Sequence, residues 1–175
     1  MILSKEFNRV ACPDAPLFNP DKWSRAVYFW CNNCFAYAMN DWRVSRENPQ
    51  PGVASGQQYT YVRKQQIVEA SVRDGLIWAE NPAPKAGSYL VALLVWNDRD
   101  YHWIRQDRDG GWSHKSGPFS PKREDFFGAE IVLPHLSQWG QYEFSGYLYV
   151  PKGGLKVEEK KMIRAPAPVQ KGFKI

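Results

Sequence analysis

The chain has 175 residues, enough for one domain, and 43% hydrophobic content supports a real core. Its net charge of +5 favours anionic surroundings, yet no long basic run or basic-aromatic RNA motif is present, which argues against nucleic acid. No stretch reaches the roughly 18 apolar residues of a membrane span, and three cysteines give no disulfide framework.

Residues 1–22, with CPDAPLFNPDKW, read as an irregular lead-in. The aromatic run WSRAVYFWCNNC leads up to a short buried helix over CFAYAMNDW, with Asn32 and Asn33 as N-cap residues. NPQPGVASGQQ, with Pro49, Pro51, Gly52 and Gly56, is a loop. Val62, Ile67, Ala70 and Leu76 recur near helical spacing and predict a helix over 60–74, stopped by Gly75. ENPAPKAG forces an extended approach to Tyr89–Trp96, apolar on both faces like a central strand.

HWIRQ, DRDGG and WSHK then spell strand, turn and return strand. Ser120 and Pro121 have the pattern of an N-cap and first helical residue, predicting a short helix through Phe127. FSGYLYV, at 144–150, has strand composition, and the segment from Lys152 onward is a charged, proline-interrupted flexible or docking tail. The expected class is α+β, with helices preceding an antiparallel sheet of four to six strands.

Three residues carry candidate chemistry. Cys34 falls in the first turn of the expected helix, where the helix dipole favours a thiolate. The hairpin brings His102 and His114 near each other, so one can act as base and the other orient it. Cys34 as an ordinary core residue and His114 as a surface residue are the plainer alternatives. Cys31 and Cys34 also spell Cys-Asn-Asn-Cys, but a redox pair needs a βαβ context that this chain lacks. Structural zinc needs a second Cys or His pair, and no such pair is spaced correctly. His135, in LPHLSQW, reads as structural. Trp103 and Trp112 flank the histidines and could wall a cleft, although cross-strand packing explains them equally. The aromatic content of 15% likewise suits β-rich cores as well as carbohydrate or peptide clefts.

Cys34 at a helix start, AGSYLVALLVW as a first strand, and His102 and His114 on the next two strands resemble the NlpC/P60 branch of papain-like cysteine hydrolases over residues 30–117. The resemblance implies a nucleophile helix packed on the sheet, in a catalytic domain spanning 23–151 between the lead-in and the 152–175 tail. It implies Cys34 as nucleophile, His102 as base and His114 as orienter, with the Cys34 N–H and Tyr28 or Asn33 at the oxyanion site. No metal or organic cofactor is required. The implied function is amide hydrolysis in peptidoglycan stem peptides, by a phage lysin or antibacterial effector with an immunity or delivery partner. The alternatives are a toxin-like protease, deamidase or acyltransferase acting on a host protein or lipid, and a non-catalytic basic interaction module. MILSKEFNRVACPDAP lacks the layout of a secretory signal, so the expectation is cytoplasmic synthesis, with action in a cell wall or host after delivery by another route.

Overall fold

The computed structural model describes residues 9–25, 30–42 and 48–158. Among the described residues three short or medium helices come first: α1 Pro20–Trp23, α2 Cys34–Ala38 and α3 Lys64–Asp74. Five strands follow: β1 Ile77–Trp78, β2 Ser88–Trp96, β3 Asp100–Gln106, β4 Trp112–His114 and β5 Glu143–Pro151. They form one antiparallel sheet in the order β1-β5-β2-β3-β4. The architecture is therefore α+β, with an open five-stranded antiparallel sheet, as composition and pattern indicated.

β2 lies between β5 and β3, and every residue of it except Trp96 is buried. That position explains its apolar character on both faces. On one face Val91, Leu93 and Trp103 meet Phe35 and Met39 of the α2 region and Ile67 of α3. On the other, Leu90, Ala92, Leu94 and Ile104 are covered by Ile131 and Trp139 from the long β4–β5 connection. One face is thus covered by helices and the other by loop.

α3 begins later than its apolar spacing suggests. The Gln66 side chain accepts the N–H groups of Thr60 and Tyr61, holding that segment outside the helix. Its end is as expected, with Gly75 left-handed at φ 114°.

The helix expected over 120–127 does not form. Lys122 instead exchanges both backbone hydrogen bonds with His114, extending the β4 ladder by one bridge. The Asp125 carboxylate then collects the N–H groups of Phe127, Ala129 and Gln138 and closes a turn. An aspartate offering these local acceptors competes directly with helix formation.

Beyond β5, Asp41 accepts the Val157 N–H and pairs with Lys156, and Val157 is buried. The first residues of the expected tail are therefore packed. Residues 159–175 lie outside the described residues.

Candidate functional site

Cys34 opens α2. Asn33 caps this helix, its side-chain oxygen accepting the Ala36 N–H at 3.0 Å while its amide nitrogen donates to the Pro49 carbonyl at 2.8 Å. Asn33 thus caps α2 and ties its start to Pro49. The Cys34 thiol points at the Tyr101 carbonyl, 4.0 Å away, and burial pushes its pKa up to about 12. A helix of five residues supplies little dipole to offset that desolvation.

The histidines do come together, by a diagonal contact. His114 is registered against Ile104, and His102 lies two residues along β3 on the same face. Nε2 of His102 is 2.8 Å from Nδ1 of His114, and Nε2 of His114 is 2.8 Å from the Glu124 carbonyl oxygen. A carbonyl only accepts, so His114 carries its proton on Nε2 and its Nδ1 is an acceptor. His102 must then donate from Nε2. Burial holds His102 well below the usual histidine range and lowers His114 to about 4, so both rings are neutral near pH 7.

Strand alternation separates these rings from the thiol. Tyr101 and Trp103 face the helix side, where Cys34 is buried with them, while His102 faces the loop-covered side among Phe126, Trp139 and Tyr142. No hydrogen bond joins Cys34 to either histidine among the described residues. Near neutral pH the site holds a neutral thiol and two neutral imidazoles rather than a thiolate–imidazolium pair.

A cleft of about 420 Å³ runs past this edge of β3 and includes Cys34 and His102. Its aromatic walls are Tyr59, Tyr101, Phe126 and Tyr142, none of which the sequence singled out. Trp103 is fully buried against Phe35 in the core, and Trp112 faces a separate apolar cavity with Leu90 and Tyr147, so neither walls this cleft. His135 bonds the Tyr147 hydroxyl through Nδ1 at 2.7 Å, away from the cleft. Tyr28 lies outside the described residues. Among the described residues no three His, Cys, Asp or Glu side chains are grouped to hold a metal ion, and no helix is long and apolar enough to cross a membrane.

No family model and no solved structure matches the chain. A curated protein does: insoluble matrix shell protein 1 of Ruditapes philippinarum, 38% identical over 135 residues, which are 76% of this chain and 88% of that protein. This relationship overturns the NlpC/P60 resemblance and the enzymatic reading built on it. With them go peptidoglycan or a peptide substrate, the immunity or delivery partner, and the cytoplasmic origin with action in a bacterial wall. Order and spacing alone reproduce the motif, while in the fold strand alternation sets the His102 ring and the Cys34 thiol on different sides of β3. At this identity and coverage, the chain belongs to the family of insoluble matrix shell protein 1.

Proposed function

We propose that the protein is a non-enzymatic structural component of an insoluble matrix of the shell type. The family relationship is the observation that carries this reading. The protonation of the cleft agrees with it, because a thiol with a pKa of about 12 is not a resting nucleophile at neutral pH. Cys34, His102 and His114 then serve as parts of a binding cleft and of the packing around it. The net charge of +5 adds a long-range attraction to acidic matrix components.

The test is retention of the purified protein by the acid-insoluble matrix of a shell. The protein is expected to leave solution with the sedimented matrix. Salt should weaken the charge-driven part, since screening lengths fall to about 10 Å at 0.1 M. Protein that stays in the supernatant at low salt overturns the reading.

A further inference from the structure

We propose that the cleft beside β3 binds a neutral sugar residue of a matrix polysaccharide, whose hydroxyl donates to Nδ1 of His102 while its apolar ring face lies on Phe126 and Tyr142. This rests on the reading of the protein as a matrix component and adds a ligand class to it.

The first support is the hydrogen-bond chain. The Glu124 carbonyl fixes the proton of His114, and His114 fixes the proton of His102. A neutral His102 that donates from Nε2 must present a bare lone pair at Nδ1. His102 is only 5% exposed and lines the cleft, and no described group donates to that nitrogen. The buried polar atoms that lack a partner among the described residues do not include this nitrogen, so it touches solvent in the cleft and can accept a ligand hydroxyl in place of water.

The second support is charge. The Asp100 carboxylate already accepts the Tyr101 N–H at 2.8 Å and the Tyr142 hydroxyl at 2.7 Å, and Arg99 lies on the same cleft with the opposite sign. With a neutral thiol and neutral imidazoles alongside, the cleft favours neither an anion nor a cation.

The third support is the inventory of donors. Tyr59 and Tyr101 both give their hydroxyl protons to the Gln50 side-chain oxygen, at 2.7 and 2.6 Å. Tyr142 gives its proton to Asp100, and the Asn33 amide nitrogen is bound to Pro49. The three tyrosine hydroxyls are thus committed and offer nothing to a peptide carbonyl entering here, which is left the second Asn33 N–H and the Arg99 guanidinium as donors. A sugar hydroxyl donates to His102 and turns its remaining capacity to water. The walls match the rest of the ligand: Phe126 is 38% exposed, with its ring 5.4 Å from His102 and 5.7 Å from Tyr142. Aromatic faces of this kind pack against apolar C–H surfaces.

The experiment titrates the folded protein with soluble oligosaccharides of β-linked glucose and of β-linked N-acetylglucosamine, following affinity and the nitrogen resonances of the His102 ring. Saturable binding of at least one, with a shift of the His102 Nδ1 resonance, is expected. His102→Ala and Phe126→Ala should each weaken it about tenfold. Phe126 is partly exposed, so its variant and the Nδ1 resonance decide the matter if His102→Ala does not fold. No saturable sugar binding, an unmoved Nδ1 resonance, undiminished binding by Phe126→Ala, or occupation of the cleft by a neutral peptide instead overturns the proposal. Matrix retention without sugar binding overturns this inference alone. Sugar binding without matrix retention overturns the matrix reading alone.

Discussion

His102 and His114 stand on adjacent strands, two residues out of direct register, and a 2.8 Å bond from Nε2 to Nδ1 makes their rings one unit. The Glu124 carbonyl anchors that unit at its far end. Nitrogen NMR should therefore find both rings as Nε2–H tautomers at neutral pH. A substantial Nδ1–H population on either ring contradicts the assigned chain.

The same burial makes stability depend on acid. Unfolded histidines titrate near 6.5, whereas burial lowers His114 to about 4 and His102 well below its ordinary range. The unfolded chain takes up protons first as pH falls. The contribution of these rings is complete above about pH 6.5 and declines as pH falls toward 4, by about 3 kcal/mol for His114. Urea midpoints measured across that window should fall steeply for the parent protein and less steeply for His114→Gln. Parallel curves rule out His114 as the source.

How much of this was legible in the sequence differs from element to element. The apolar run of β2, the hairpin around residues 107–111 and the Gly75 stop are local signals, and the structure contains all three. The pairing of His102 with His114 followed from the hairpin, because the turn alone fixes which residues approach. The absent helix at 120–127 did not follow, because its competitors are the β4 ladder and the distant Gln138 N–H. The state of Cys34 was also beyond sequence reach. Helix start and spacing suggest a lowered pKa, while the burial that raises it comes from β3 and from the core beneath. Phe126 and Tyr142 join the cleft from the β4–β5 connection, which has no periodicity to reveal which side faces inward.

Arg105 and Asp107 are both fully buried and bonded at 3.1 Å. The guanidinium also lies 4.0 Å over the Tyr37 ring, and Ser113 donates to the same carboxylate. Asp107→Ala leaves the Arg105 charge without its buried counter-ion. Denaturant unfolding should register a loss of about 3–5 kcal/mol. A loss below about 1 kcal/mol contradicts the assignment of this pair as a structural centre.

Gly146 sits where β5 shifts register against Leu93 and Leu94, with φ at 141°, and the Trp78 ring of edge strand β1 lies directly over it. An added Cβ would run into that ring and would be strained by the backbone angle as well. Gly146→Ala should cost about 1–3 kcal/mol. Combining it with Trp78→Ala should cost less than the sum of the two single changes, because the clash is then removed. Strict additivity in thermal or urea unfolding contradicts a direct contact.

The pH profile of Cys34 alkylation in the folded protein tests the central claim, that this cleft holds ligand and has no resting nucleophile, most directly. Peptide mapping after iodoacetamide treatment gives the rate for each thiol. Burial that pushes Cys34 up to about 12 predicts slow labelling through neutral pH, with a rise only in strong alkali, and faster labelling of the less buried Cys31. Cys34 labelling fastest of the three near pH 7, and slowing when His102 is replaced, would reveal an activated thiolate and contradict the account.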